Sequence, residues 1–182
     1  PGASTALVAT STRGFPIGEH GYVGQSSQPL HAEFLQVPWL MHCPSNDVVT
    51  GRMHDLIQPP DLYPTLLHWF NASLPEQPIW GRSLLPIHLD GQSGIPRSQA
   101  CSVAGDQRSL RVPAWFLRES SENEDALFVK PDDRWEVNEV SDRCGTEIDE
   151  LRRVLDAFQT AAIACDRDAL PELPASLVKH VW

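Results

Sequence analysis

A glycine-rich loop near the start of the chain carries the side chains best suited to chemistry. It runs from Ser11 to Gln25 and contains Arg13, His20 and Gln25. An arginine guanidinium binds sulfate or phosphate through two parallel N–H donors, and the backbone N–H groups of a glycine-rich loop add further donors. A glutamine side chain adds a neutral hydrogen bond. The pattern predicts a metal-free pocket that binds sulfate or phosphate weakly through Arg13, His20 and Gln25.

The two basic side chains have a second interpretation. Arg13 also fits an exposed loop residue that pairs with a local carboxylate such as Glu19, and His20 fits a histidine that packs within the loop. The residues by themselves leave both interpretations open.

The cysteines do not form a metal or redox motif. They are widely separated and lack the close pairs of a zinc ribbon, so we expect buried thiols rather than ligands. Disulfides stay open, because an even count permits pairing if the protein is exported. The four positions are Cys43, Cys101, Cys144 and Cys165.

Two apolar runs should position the loop. The run from Thr5 to Thr10 predicts a strand buried on both faces of a parallel sheet, and the run from Val37 to Cys43 predicts a second strand. Open α/β sheets bind ligands at the carboxyl ends of their strands, and the loop begins at such an end.

A helix and a long connection follow the second strand. Asp61 is a suitable N-cap for the segment LYPTLLHWF, in which Pro64 occupies the first turn. Proline and glycine are dense from Leu74 to Gly94, which predicts an irregular connection. We therefore expect one domain over residues 1–94 and a second over residues 95–182. The residues expected on the buried face of the helix are Leu62, Leu66, Trp69 and Phe70.

The second region predicts a small antiparallel sheet closed by an amphipathic helix. Thr146 and Asp149 form a capping-box-like helix start, and the tail after Cys165 should be irregular until Val178 to Trp182 docks. The expected strands are Ala100 to Ala104, Leu110 to Arg118 and Ala126 to Lys130, with a polar turn from Glu119 to Asp125 joining the last two. The apolar helix positions are Ile148, Leu151, Leu155, Phe158 and Ala162.

Composition excludes two classes of partner. The net charge of −10 would repel a phosphate backbone, so we expect no nucleic-acid partner. No apolar run is long enough for a membrane span. Because the chain starts at a proline without an initiator methionine, we expect a processed or truncated start. Localisation and oligomeric state stay undecided.

Three stretches occur in a fixed order along the chain. They are GEHG at Gly18 to Gly21 followed by Val37-Pro38, DLYPTLLHWF with WGRSLLP at Trp80 to Pro86, and ALFVKPDDRWEVNEV. In this order they resemble the later half of sulfatases of the alkaline-phosphatase superfamily. The resemblance covers most of the chain, and it implies an α/β fold: the later part of an alkaline-phosphatase-like sheet, then a small antiparallel sheet with a closing amphipathic helix.

The same resemblance implies an impaired active site. Thr12 and Arg13 occupy the positions of the family's metal ligands, and Gln25 occupies that of its sulfate-binding lysine. A threonine hydroxyl is a weak ligand for a hard dication and an arginine cannot coordinate one, so we expect no metal and no cofactor. The family's nucleophile motif, C-x-P-x-R, is missing. In Cys43-Pro44-Ser45 the proline comes one place too early and no arginine follows, so Cys43 reads as a strand-end thiol.

These departures predict a pseudoenzyme with no catalytic residues of its own. We expect a sulfatase-like carboxy-terminal fragment that does not hydrolyse sulfate esters alone and acts as a binding or assembly module with a residual anion pocket. Its expected partners are an upstream half or a second copy of itself. The alternative is one part of a longer sulfatase-family hydrolase of sulfate or phosphate esters, with the nucleophile and metal ligands upstream of this chain.

Overall fold

A computed structural model describes residues 5–24, 30–44, 51–85, 97–121, 125–166 and 170–178. The chain divides into two compact units, one formed by Pro1–Thr12 with Val37–Arg97 and the other by Arg13–Gln36 with Ser98–Trp182. Residues 13–36 thus lie with the later part of the chain rather than with their sequence neighbours. A domain boundary after residue 94 stays a prediction.

The first unit contains a two-stranded sheet. Strands β1 (Leu7–Thr10) and β2 (Trp39–His42) pair antiparallel, from Leu7 opposite His42 to Thr10 opposite Trp39. The expectation of a parallel strand buried on both faces is therefore wrong for β1. Leu7 is 57% exposed and Leu40 is 68% exposed. A continuous apolar run predicts a strand, but it fixes neither the direction of the partner strand nor the cover over each face.

A short helix and a buried polar network complete this unit. Helix α1 (Ala32–Leu35) belongs to the second unit. In the first unit, helix α2 (Leu62–Trp69) follows a 3-10 turn at Pro59–Asp61. Asp61 precedes α2 as predicted, but its carboxylate accepts the Gln58 N–H at 2.8 Å and so caps the preceding turn.

The buried face of α2 differs from the predicted apolar stripe. Its buried residues are Pro64 and Thr65, whereas Leu66 is 40% exposed and Phe70 is 72% exposed. The Thr65 hydroxyl donates to the Asp61 carbonyl at 2.6 Å and accepts the Leu84 N–H at 3.0 Å. Buried polar groups need hydrogen-bond partners, and these bonds supply them, so the side of the helix that carries Thr65 can be buried.

The second unit is built on a four-stranded antiparallel sheet in the order β3-β4-β5-β6. Val112 N–H donates to the Trp115 carbonyl at 2.9 Å and closes a tight turn around Pro113, which has no N–H to give a strand. The single strand predicted from Leu110 to Arg118 is therefore two strands. The hairpin of β5 and β6 is confirmed. The strands are β3 (Ala100–Ala104), β4 (Gln107–Arg111), β5 (Trp115–Glu119) and β6 (Ala126–Val129).

One face of this sheet is closed by helix α3 (Gly145–Ala164), as predicted. The helix begins before Thr146 and has no side-chain cap, so the predicted capping box is wrong. The tail forms a further short helix, α4 (Ala175–Val178), and the Trp115 indole N–H donates to the Ser176 carbonyl at 3.1 Å. Fully buried residues of this core are Leu110, Leu117, Leu127, Leu151, Leu155 and Leu177, each at 0% exposure.

The four cysteines carry free thiols. Cys43 and Cys101 are buried, whereas Cys165 is exposed. Burial raises the pKa of the Cys43 thiol, which suits the interpretation of an inert thiol after β2. Within the described ranges, no helix has the length and apolar character needed to cross a membrane.

Candidate functional site

The loop expected to carry chemistry folds against the short helix α1 in the second unit. Gly14 N–H donates to the Phe34 carbonyl at 2.9 Å, and a Cβ atom on Gly14 would lie 1.9 Å from the Glu33 carbonyl oxygen. A side chain at position 14 is therefore excluded unless the backbone moves. Ile17 and Val23 form an antiparallel bridge across the loop. The Gly14 contact therefore fixes the base of the loop, and the bridge holds the two sides of its tip together.

Arg13 packs on the same helix. Its guanidinium carbon lies 5.6 Å from the centre of the Phe34 ring, a cation–π contact. The Glu19 carboxylate, a suggested partner for Arg13, accepts the Ile17 N–H at 2.7 Å. This backbone hydrogen bond is the main reason why the pKa of Glu19 is lowered. Gln25 lies outside the described residues.

His20 points toward two acceptors of the second unit. It sits in a 3-10 turn with a left-handed φ of 49°, which aims its ring at α1. Its Nδ1–H donates to the Glu33 carboxylate at 2.9 Å, and its Nε2 faces the Glu136 carbonyl oxygen at 3.4 Å. His20 and Arg13 thus contact adjacent residues of α1, Glu33 and Phe34, but they have different partners.

A second histidine, not singled out from the sequence, stacks on His20. The ring centres of His20 and His31 are 3.8 Å apart and their planes differ by 13°. Arg118 Nη1 donates to His31 Nε2 at 2.9 Å. Because a guanidinium can only donate, Nε2 carries no hydrogen, and the Nδ1–H of His31 faces the Glu136 carboxylate at 3.3 Å. His31 is held as one neutral tautomer by these two contacts.

Glu136 links the loop to the sheet. Its carboxylate also accepts the Ala32 N–H at 3.1 Å and pairs with the Lys130 ammonium at 3.1 Å, and both side chains of this pair are almost fully buried. Burial by itself would raise the pKa of Glu136, but the hydrogen bond from His31 and the charge of Lys130 outweigh it and lower the pKa. Glu136 has a left-handed φ of 56°, which the surrounding bonds hold in place.

Three side chains of this cluster are close enough to raise the question of a metal. His20, His31 and Glu33 each offer a ligand atom within 4.8 Å of the others. The two imidazole rings are stacked, so their in-plane lone pairs lie in nearly parallel planes and do not converge on one point, and the lone pair of His31 already accepts the Arg118 N–H. These three side chains therefore fit a hydrogen-bonded cluster better than a metal site.

The structure thus places the predicted residues differently from one another. Arg13 and His20 lie in the second unit, whereas Thr12 ends the first stretch of the other unit and is exposed. The chemistry-bearing residues that sequence reasoning missed are His31, Glu33, Arg118, Lys130 and Glu136. Lys130 and Glu136 lie inside the ALFVKPDDRWEVNEV stretch, so the resemblance marked their segment without marking their partnership.

Comparison with known proteins rests on the fold. No family model matches the chain, and no curated protein has a significantly similar sequence. A protein from Bacteroides thetaiotaomicron assigned as a sulfatase has a similar structure, with a TM-score of 0.75 and 21% sequence identity, covering 97% of this chain and 40% of that one.

Two further structures agree. BT4656, solved with its substrate D-glucosamine-2-N,6-O-disulfate, has a TM-score of 0.68 and 20% identity over 90% of this chain and 35% of its own. The phosphonate monoester hydrolase of Silicibacter pomeroyi has a TM-score of 0.67 and 18% identity over 87% of this chain and 35% of its own. The chain spans well under half the length of these proteins.

The predicted fold is therefore confirmed. The chain has the fold of the carboxy-terminal part of a sulfatase, with an antiparallel four-stranded sheet and its helix.

Proposed function

We propose that this chain is a binding and assembly module that does not hydrolyse sulfate esters on its own. The observation that carries the proposal is the extent of the likeness, which reaches 97% of this chain but only 40% of the solved neighbour. More than half of that neighbour therefore has no counterpart in this chain.

The chemistry of ester hydrolysis supports the proposal. The reaction needs a nucleophile and positive charge on the sulfuryl oxygens, which the family supplies with an oxidised cysteine and a divalent cation. Arg13 occupies one implied ligand position, and at 4 Å its charge would repel even a unit cation by about 4 kcal/mol at an effective dielectric constant of 20. Cys43-Pro44-Ser45 is the segment compared above with the C-x-P-x-R motif. Its thiol is buried, and burial raises the pKa of that thiol.

An assembly role is supported by the uncovered ribbon of β1 and β2. Residues directly opposite each other share a face, so Leu7, Ala9, Leu40 and His42 form one face, which is apolar apart from His42. Leu7 and Leu40 are more than half exposed there. A two-stranded sheet is marginally stable alone, so a further segment of a sulfatase-like protein or a second copy would stabilise it.

The residual anion pocket rests on Arg13. Its permanent charge needs no carboxylate ligands to hold it, and the glycine-rich loop supplies N–H donors. Glu33 and Glu136 surround His20, so Arg13 rather than His20 should supply most of the affinity. A wet site with two charge-assisted hydrogen bonds corresponds to affinities of about millimolar.

Turnover and binding measurements on the purified chain test the proposal. We expect no hydrolysis of nitrophenyl sulfate or nitrophenyl phosphate with or without added calcium, and weak sulfate binding that Arg13→Gln reduces. Arg153→Gln, which removes an exposed arginine of α3, is the control. Turnover that persists in chelator, or sulfate affinity equal in the parent and Arg13→Gln, would contradict the corresponding half of the proposal.

A second candidate function is one part of a longer hydrolase of sulfate or phosphate esters. It is favoured by the solved neighbours, one of which is a phosphonate monoester hydrolase and another of which was solved with a disulfated glucosamine substrate. The coding sequence upstream of Pro1 decides between the candidates. A C-x-P-x-R motif together with an Asp-Asp pair there would favour the hydrolase.

A further inference from the structure

The sheet of the second unit has an unusual distribution of charge on the face opposite α3. In the antiparallel register, Arg118 lies opposite Ser109, and Arg111 lies opposite Phe116. Opposite residues share a face and alternate residues return to it, so both arginines emerge on the same face. They are diagonal neighbours on β4 and β5, with Cα atoms about 7–8 Å apart.

Neither guanidinium has a carboxylate as its hydrogen-bond partner in the described part of the chain. Arg111 donates to the carbonyl oxygens of Pro113 at 3.1 Å and Trp115 at 3.3 Å. Arg118 donates to the neutral nitrogen of His31 at 2.9 Å, and its buried Nε–H has no hydrogen-bond partner.

Other arginines of the same unit behave differently. Arg108 pairs with the carboxylates of Glu119 at 2.7 Å and Asp156 at 2.7 Å. Arg152 pairs with the carboxylates of Glu119 at 3.0 Å and Asp125 at 2.5 Å. Arg108 on β4 and Arg152 on α3 are therefore paired with carboxylates, whereas the half-buried Arg111 and Arg118 donate to neutral acceptors.

The buried carboxylate of Glu136 is already engaged. Glu136 pairs directly with Lys130, and it reaches Arg111 and Arg118 through space alone. Burial lowers the pKa of Arg111 to about 10, and the charge of Glu136 offsets that effect only in part.

Arg118 shows the same imbalance. Burial lowers the pKa of Arg118, although four acidic groups act on it from a distance. These groups are Glu136, Tyr22, Glu33 and Glu139. In a chain with a net charge of −10, half-buried cations whose charge is this poorly compensated are unexpected.

We propose that Arg111 and Arg118 form a binding site for a doubly charged tetrahedral oxyanion, the sulfate or phosphate group of a small molecule. Such a group offers two charges to two cations, and its oxygens accept from guanidinium forks in several directions. This site involves neither Arg13 nor the loop tip, so it stands independently of the anion pocket proposed above.

Calorimetric titration of the full chain with sodium sulfate and sodium phosphate tests the site, at an ionic strength held constant with sodium chloride. We expect Arg111→Gln and Arg118→Gln each to weaken the affinity by about tenfold or more, because each removes charge-assisted hydrogen bonds. Arg153→Gln should leave it unchanged. Arg118→Lys should weaken it by a smaller factor, since it keeps the charge and loses the fork.

A site-specific measurement protects the test against misfolded variants. The Nε–H resonance of Arg118 in the parent protein should shift on addition of sulfate and stay in place with sodium chloride at equal ionic strength. A resonance unmoved at saturating sulfate, or full affinity in both Arg111→Gln and Arg118→Gln, would overturn the site. Affinity lost in Arg13→Gln alone would support the loop pocket and reject this one, and loss confined to the two sheet variants would do the reverse.

Discussion

The two units of this chain bury different kinds of residue. The sheet of the second unit packs leucines at 0% exposure against α3, so its core is complete within the chain. The first unit buries Leu84 at 5% exposure and Leu85 at 3% beside a polar network, in which Asp61 at 0% exposure accepts hydrogen bonds from the Arg82 N–H at 2.9 Å and from the Arg97 guanidinium. Its strands β1 and β2 leave apolar side chains exposed.

This difference shows which unit is self-sufficient. Apolar burial stabilises a unit without outside help, whereas a buried carboxylate organises a loop and contributes little net free energy. The second unit should therefore hold most of the stability of the isolated chain, and the first unit should depend on whatever covers its ribbon.

The largest expected effect comes from the ion pair that ties the loop to the stable sheet. Glu136→Gln should lower the free energy of unfolding by about 3–5 kcal/mol at pH 7, because the charge of the buried Lys130 would lose the carboxylate that compensates it. The lowered pKa of Glu136 means that its ionised form stabilises the fold above the ordinary value of 4.5, and this contribution is lost as the pH falls through the folded-state pKa. Urea unfolding of both proteins should therefore show a gap that is full at pH 7 and narrows below 4.5. Glu172→Gln, an exposed change of the same charge, should show no gap; a gap that widens in acid would contradict the assignment.

The apolar core of the second unit gives the next effect. Leu155→Ala should cost about 2–5 kcal/mol in the free energy of unfolding, because it opens a cavity beneath the sheet. Ile163→Ala on the same helix, where the side chain is 81% exposed, should cost less than about 0.5 kcal/mol. Chemical denaturation measures both variants. Equal losses would show that α3 does not close the core as described.

The polar network of the first unit should respond less and more locally. Asp61→Asn should destabilise that unit by about 1.5–3 kcal/mol, since it weakens the hydrogen bond with the charged Arg97. Hydrogen exchange should quicken in α2 and leave α3 unchanged, with Glu76→Gln as a surface control. Faster exchange throughout both helices would mean that the two units unfold as one.

The smallest effect is expected on the uncovered ribbon. Leu40→Lys should change the free energy of unfolding by less than about 0.5 kcal/mol, because an exposed side chain loses little packing. Thermal and urea unfolding of the monomeric chain measure it, and Leu110→Lys, in the buried core, is the contrasting variant. A large loss in Leu40→Lys would show that this face is covered in solution.

Sequence periodicity determined a large part of this fold. The apolar repeat from Ile148 to Ala162 gave α3, because a helix that packs on a sheet needs one continuous apolar stripe. The order of the motifs predicted the sulfatase-like fold, since certain loop and turn positions of a fold accept only a few residue types. Gly14 is such a position, because a Cβ there would overlap the Glu33 carbonyl oxygen.

Only the tertiary structure decided the partners of the charged residues. His20 and Arg13 were visible as basic residues in the sequence, but the hydrogen bonds of His31 with Glu136 and with Arg118 join segments that are far apart in the chain. The same holds for the ribbon, where apolar runs predicted both β1 and β2 but their antiparallel pairing had to be observed. Local periodicity predicts whether a segment is a helix or a strand, whereas electrostatic and hydrogen-bond partners depend on which distant segments the fold brings within a few ångströms.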